Sequence, residues 1–162
     1  MCIRDRIYRE KKVCKEEMIL IIEIRVKNCF VFEEQISFSM KADMRNKKFA
    51  SNVHKENNFN VLKTAGIYGS NNAGKTCLIK CIKAIKRILL NQKPSLMSNI
   101  FTDSSICELG VTFLAFGRKF VYDFKYDVAE KEFIYESFSE ILKDQYGNEK
   151  EVLWLVKDSL QG

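Results

Sequence analysis

The most informative stretch of the chain reads Gly69-Ser70-Asn71-Asn72-Ala73-Gly74-Lys75-Thr76. It fits the pattern G-x-x-x-x-G-K-[ST] without a substitution. In such a loop consecutive backbone N–H groups point inward at an anion, and the two glycines allow backbone angles and a close approach that a Cβ would forbid. The stretch therefore predicts a loop that cradles phosphate groups.

The segments on either side of this loop support the prediction. Val61–Tyr68 is predicted as a strand that runs into the loop. From Lys75 the apolar spacing changes to that of a helix, which we expect to end near Asn91, before Pro94. Its apolar stripe consists of Leu78, Ile82, Ile85 and Leu89, and its opposite face carries Lys80, Lys83 and Arg87. The positive N-terminal end of this helix would point at the same phosphates.

Two side chains of the loop have chemistry suited to a nucleotide. The ammonium group of Lys75 is expected to reach the β- and γ-phosphates as a point charge. The hydroxyl of Thr76 is expected to ligate the Mg²⁺ ion that bridges these phosphates. The whole run from Gly69 to Thr76 is thus the predicted cofactor-binding site, and Thr76 is its predicted metal ligand.

The rest of the chain shows the alternation of β-strands. Ile22, Ile24 and Val26 mark one strand, and Ile36, Phe38 and Met40 mark a second, so that 31–34 forms a hairpin turn. Residues 41–60 are polar and predict a surface loop, in which His54 is solvated. From 105 to 156 the alternation returns with turn residues between the runs, which predicts an antiparallel meander with an aromatic core face.

Composition restricts the class of protein. The 162 residues are 46% hydrophobic and 30% charged, with a net charge of +6, as in a globular domain with a basic face. The six cysteines contain no C-x-x-C pair, which favours free thiols in a reducing cytoplasm. The apolar run 18–26 is too short for a bilayer, so we expect no membrane partner.

The first 17 residues are highly charged and lack periodicity, and we interpret them as a non-native leader before a natural start at Met18. We expect residues 18–162 to be the N-terminal part of a larger domain. Without the leader the net charge falls by two, because residues 1–17 carry six Lys or Arg and four Asp or Glu.

Several segments together resemble a known family. Met18–Glu34, with Asn28, Phe30 and Phe32, is similar to the opening strand and K-N-F-x-x-F turn of ABC-type ATPase heads such as RecF, the SMC proteins and the OLD-like ATPases. Leu62–Thr76 resembles the AAA-type, RloA/abortive-infection-like ATP-binding proteins of bacteria. The chain departs from the pattern at Cys29, where an aromatic residue is usual, and at Ala73, where serine is common.

The resemblance implies an α/β fold, the N-terminal part of a P-loop NTPase, with the antiparallel meander attached. It implies ATP and Mg²⁺ as cofactors and a homodimer that sandwiches two ATP molecules. The family's signature motif, Walker B aspartate and catalytic glutamate are expected beyond residue 162, so the catalytic residues are unknown. The whole protein would be an ATPase in phage defence or DNA metabolism, and this portion would bind ATP and hydrolyse almost none.

Two alternatives stay open. The cations of the predicted helix and of the 41–55 segment could bind DNA or RNA in a nucleotide-gated module without hydrolysis of its own. Another P-loop enzyme, such as a GTPase or kinase, is the other alternative, although no guanine-reading Asn-Lys-x-Asp motif is present.

Overall fold

A computed structural model describes residues 19–45, 48–56, 59–143 and 148–159, and the predicted leader lies outside them. Within these ranges the chain forms eight strands, one 3-10 turn (Ala50–Asn52) and one α-helix. In chain order these elements are β1 (Leu20–Lys27), β2 (Ile36–Ser39), β3 (Val53–Glu56), β4 (Phe59–Leu62), α1 (Lys75–Leu89), β5 (Ile106–Ala115), β6 (Arg118–Asp127), β7 (Glu132–Lys143) and β8 (Glu149–Asp158).

Six of the strands form one antiparallel sheet in the order β2-β1-β5-β6-β7-β8. The β1–β2 hairpin and the antiparallel meander from β5 to β8 are therefore as predicted. The remaining strands, β3 and β4, pair with each other. Part of the connection between β7 and β8 lies outside the described residues.

Alternate residues of a strand point to the same face of a sheet. One face of the large sheet is apolar because the residues that point to it are apolar. On β6 these residues are Phe120, Tyr122, Phe124 and Tyr126, all buried, as the prediction of core packing requires. Helix α1 covers this face with a stripe of Cys81, Ala84, Ile85 and Ile88. Each large side chain buried here contributes about 1.5–3 kcal/mol to folding.

The observed helix covers the predicted range, but its buried stripe is rotated slightly from the predicted apolar stripe. Its last residue is Leu89, and Asn91 has a left-handed backbone with φ of 56°. Ile85 is fully buried as predicted, whereas Leu78, Ile82 and Leu89 are only half-buried. The predicted cationic face is exposed, since Lys80, Lys83 and Arg87 all lie in solvent.

The predicted α/β class is wrong. The described chain is mostly antiparallel β-sheet with one short helix, and it is not the α/β fold of a P-loop NTPase. The resemblance implied this class, in which the order strand–loop–helix begins a parallel βαβ unit. Here the strand after α1 is β5, and it pairs antiparallel with β1. The helix thus covers an antiparallel sheet and does not connect parallel strands.

Two local predictions also fail. The strand predicted over Val61–Tyr68 ends at Leu62, because 63–70 joins no sheet among the described residues. The predicted loop 41–60 contains β3, with His54, and the start of β4. This hairpin covers the other face of β1 and β5, where Val61, Ile22 and Leu114 form a small second core.

Candidate phosphate-binding loop

The predicted loop lies between the end of β4 and the first turn of α1. Gly74 is the N-cap of the helix and has a left-handed backbone, with φ of 80° and ψ of 3°. Asn72 is also left-handed, with φ of 66°. No acidic residue occupies the first turn of α1. The positive end of the helix dipole is therefore not neutralised by its own first turn.

The side chain of Lys75 closes the loop. Its Nζ donates to the carbonyl oxygen of Gly69 at 2.8 Å and to that of Ser70 at 2.5 Å. Between these residues, the amide of Ala73 donates to the carbonyl of Ser70 at 3.3 Å, which forms a turn. The loop is thus curled rather than extended, and the ammonium group lies at its mouth, held by backbone oxygens.

The loop is open to solvent. Residues 69–73 and Thr76 are exposed, and Gly74 and Lys75 are half-buried. The Thr76 hydroxyl lies one residue after the lysine, on the first turn of α1, and a hard oxygen donor of this kind suits Mg²⁺. Among the described residues there is no cluster of three or more His, Cys, Asp or Glu with metal-binding geometry. The predicted metal ligand Thr76 is therefore open to solvent at the start of the helix.

The turn between β1 and β2 packs against Gly74. A Cβ placed on Gly74 would lie 3.2 Å from Cε1 of Phe32 and 3.3 Å from Cγ2 of Val31. The turn after β1 and the predicted phosphate loop are therefore in direct contact. A side chain at residue 74 would be strained by the left-handed backbone, and Phe32 and Val31 would have to shift slightly to admit it.

Asn28 fixes this turn, and the sequence alone did not reveal how. It is 6% exposed and left-handed, with φ of 50°. Its Nδ2 donates to the carbonyls of Ser104 and Ile106 at 2.8 and 2.9 Å. Its Oδ1 accepts from the amide of Asn99 at 3.2 Å and from the hydroxyl of Thr102 at 2.6 Å. One buried amide thus joins the turn to the segment that follows α1.

Phe30, the other left-handed residue of the turn, contacts the helix and the following segment. Its amide donates to the carbonyl of Met97 at 2.9 Å. The Nζ of Lys80 lies 5.4 Å from the centre of its ring, a cation–π contact. One of the predicted cations of the helix therefore helps to hold the turn in place.

A second anchor, also missed by sequence reasoning, holds the entry to the loop. The Oδ1 of Asn52 accepts from the amide and the hydroxyl of Thr64 at 3.0 and 2.8 Å, and its Nδ2 donates to the Thr64 carbonyl at 2.9 Å. Lys63 is bound beside it, because its amide donates to the Asn52 carbonyl at 2.8 Å. These bonds fix residues 63 and 64, which no sheet partner holds.

Two buried acidic residues lie on β7. Glu136 and Glu140 are each 3% exposed. Glu136 accepts from the hydroxyl of Tyr122 at 2.5 Å, and Glu140 accepts two hydrogen bonds from the guanidinium of Arg118. Both carboxyl groups are therefore engaged in the packing of the meander, because buried polar groups need hydrogen-bond partners.

The comparisons with known proteins found no relative of this chain. No protein-family model matches the chain, and no curated protein or solved structure matches it. In the part of the chain that the structure describes, none of the helical segments has the length and apolar character needed to cross a membrane.

Proposed function

We propose that the loop Gly69–Thr76 binds the triphosphate of ATP, with Lys75 on the β- and γ-phosphates and Thr76 on the accompanying Mg²⁺. The observation that carries this proposal is the contact of Lys75 Nζ with the carbonyls of Gly69 and Ser70. It places a cation at the mouth of a curled, solvent-open loop that matches the phosphate-binding pattern at every position.

The chemistry of the surroundings also favours an anion. Helix α1 contains five cations and no acidic residue over its 15 positions. Its free N-terminal amides and its dipole favour negative charge at the same end as Lys75. When phosphate enters, we expect the ammonium group to exchange the two neutral carbonyls for phosphate oxygens, since charge-assisted hydrogen bonds are the stronger ones.

Hydrolysis in this proposal needs both a second copy and the catalytic elements that the resemblance to dimeric ATPase heads implies, namely a signature motif, a Walker B aspartate and a catalytic glutamate. We propose that two copies enclose two ATP molecules, that the whole protein is an ATPase, and that it acts in the cytoplasm in phage defence or DNA metabolism. Residues 18–162 alone are expected to turn over almost no ATP.

Calorimetric titration of the whole chain tests the binding step. We expect ATP with Mg²⁺ to bind, AMP not to bind, and chelation of Mg²⁺ to weaken ATP. In the Thr76→Ala variant the Mg²⁺ dependence should disappear while binding of free ATP persists, because that change removes the metal ligand and leaves Lys75. Equal affinity for AMP and ATP would contradict the proposal, since the triphosphate would then contribute nothing.

A second function is favoured by the charges of α1. Lys80, Lys83, Lys86 and Arg87 are all exposed, and no acidic residue lies among them. Such a face could contact the phosphate backbone of DNA or RNA. Filter binding at two salt concentrations tests this function: a steep loss of nucleic-acid affinity at the higher concentration supports it, and salt-independent or absent binding contradicts it.

A further inference from the structure

Tyr68, the residue immediately before the phosphate loop, is 93% exposed, more than any other large apolar or aromatic side chain of the described residues. A single exposed side chain of this kind is common on protein surfaces. The position of Tyr68 is more specific, because it adjoins Gly69, whose carbonyl oxygen accepts from Lys75 Nζ at 2.8 Å. An open aromatic ring thus lies one residue away from the loop that holds the ammonium group.

Gly66 makes room for this ring. A Cβ on residue 66 would lie 2.6 Å from Cε2 of Tyr68 and 3.1 Å from its Cζ and Oη. Because real Cβ atoms do not come within 3.0 Å of such atoms, the ring occupies space that only glycine leaves open. The outer end of the ring therefore rests against residue 66, and the rest of its surface is open to solvent. A flat aromatic group can reach the ring without displacing another side chain.

We propose that Tyr68 stacks on the base of the nucleotide whose phosphates the loop binds. This inference rests on the proposed binding of ATP by Gly69–Thr76 and adds the residue that recognises the base. In ATP the ribose and the α-phosphate separate the base from the β-phosphate, so the base lies outside the loop that holds the β- and γ-phosphates. Tyr68 is the aromatic residue nearest to the loop in the chain.

Stacking determines the class of ligand that Tyr68 favours. A stacked ring contacts the flat face of the base and does not read its hydrogen-bonding edge, so every base can bind in this way. We therefore expect Tyr68 to contribute to the binding of ATP and GTP alike. It should contribute nothing to inorganic tripolyphosphate, which has the same phosphate chain and no base.

Calorimetric titration of the whole chain with ATP and with tripolyphosphate, each with Mg²⁺, tests this inference. In Tyr68→Ala we expect the affinity for ATP to fall about 5- to 100-fold, as for the loss of one base–aromatic stack. The affinity for tripolyphosphate should stay unchanged. Tyr68→Phe should bind ATP as the wild type does, because it keeps the ring.

Gly66→Ala tests the position of the ring without removing it. The new Cβ would displace the ring, and the backbone of residue 66 is not left-handed, so alanine fits it without strain. We expect weaker binding of ATP and unchanged binding of tripolyphosphate. Unchanged binding of both ligands would contradict the placement of the ring by Gly66.

Lys75→Ala separates the failure of this inference from the failure of the proposed function, because it should weaken ATP and tripolyphosphate together. If the wild type binds neither ligand, the proposed function is wrong and the stacking inference is wrong with it. If the wild type binds both and Tyr68→Ala keeps its full affinity for ATP, only the stacking inference is overturned.

Val31→Ala is the control for a different position of the base. Val31 is 57% exposed, and its Cγ2 would lie 3.3 Å from a Cβ on Gly74, at the other end of the loop. We expect this variant to bind ATP almost as the wild type does. A loss of ATP affinity in Val31→Ala but not in Tyr68→Ala would place the base at the turn after β1 and overturn the inference.

Discussion

The ring of Phe32 lies against Gly74, 3.2 Å from the position that a Cβ on residue 74 would take. This contact joins the turn after β1 to the N-cap of α1, and hence to the loop that carries Lys75. The conformation of the loop therefore depends on residues more than 40 positions earlier in the chain. Substitution of either residue of this contact should alter the loop conformation.

Gly74→Ala should destabilise the protein and weaken ATP binding together. A left-handed backbone costs a residue with a Cβ about 1–2 kcal/mol, and the contacts with Phe32 and Val31 add to this cost. Gly69→Ala is the matched control: its Cβ would meet only the Ala73 Cβ at 3.3 Å, and no left-handed φ is required there. Urea unfolding checks the order, and an equal loss in both variants would contradict the role assigned to Phe32.

Asn28→Ala should cost at least about 2 kcal/mol of unfolding free energy, because buried donors and acceptors left without partners each cost about 1–3 kcal/mol. Asn91→Ala is the control, since Asn91 is also left-handed but exposed. It should lose about 1 kcal/mol from backbone strain alone. Equal losses in chemical denaturation would show that the four hydrogen bonds of Asn28 contribute little.

Gly110→Ala should disrupt an ion pair that spans three strands. Gly110 lies between Arg25 and Asp123 in the register of the sheet, and Arg25 Nη2 reaches over it to Asp123 Oδ1 at 2.8 Å. A Cβ on Gly110 would lie 2.0 Å from that oxygen. We expect a loss of about 1–3 kcal/mol, as for other overpacked sites.

The double variant Gly110→Ala/Asp123→Ala isolates the clash. Removing the Asp123 carboxylate makes room for the new methyl group, so the two changes together should cost less than the sum of the single changes. Additive losses in urea unfolding would mean that the strain arises elsewhere on the sheet.

The carboxyl group of Asp127 should make the stability of the folded protein depend on pH. The hydrogen bond from Ser105 and those from the amides of Glu130 and Ala129 lower the pKa of its carboxyl below the usual 3.8. A lowered pKa in the folded state adds stability above the unfolded value of 3.8, and this contribution is lost as pH falls through the folded value. Asp127→Asn should therefore be less stable than wild type at pH 7, and the difference should shrink below about pH 4. A difference that stays constant from pH 7 to pH 2.5 in thermal unfolding would exclude this role of the carboxyl.

The parts of the fold that follow from local pattern could be predicted from the sequence. Alternation placed β1, β2 and the meander, because one face of each strand is buried, and the spacing from Leu78 to Leu89 placed α1. The β3–β4 hairpin could not be predicted, since Val53–Glu56 shows no alternation and is a strand only through its pairing with Phe59–Leu62. Residues 63–68 show the opposite case, in which a strand-like segment finds no neighbouring strand among the described residues.

The residues of the candidate site could be predicted from the sequence, but the contacts that hold them in place could not. The spacing of Gly69, Gly74 and Lys75 indicates phosphate binding by itself. The partners of Asn28 lie 71 to 78 residues away, and Asn52 and Thr64 are 12 apart, so their contacts exist only in the folded chain.

The central claim is that Lys75 holds the polyphosphate of a nucleotide, and one pair of variants tests it most directly. Lys75→Ala and Lys83→Ala each remove one cation from the same helix, and Lys83 is exposed on the face away from the core. Charge-assisted hydrogen bonds are worth about 1.5–3 kcal/mol. Calorimetric titration with ATP and Mg²⁺ should therefore show affinity reduced about 10- to 100-fold in Lys75→Ala and almost unchanged in Lys83→Ala. Equal affinities of wild type and Lys75→Ala for ATP would contradict the account.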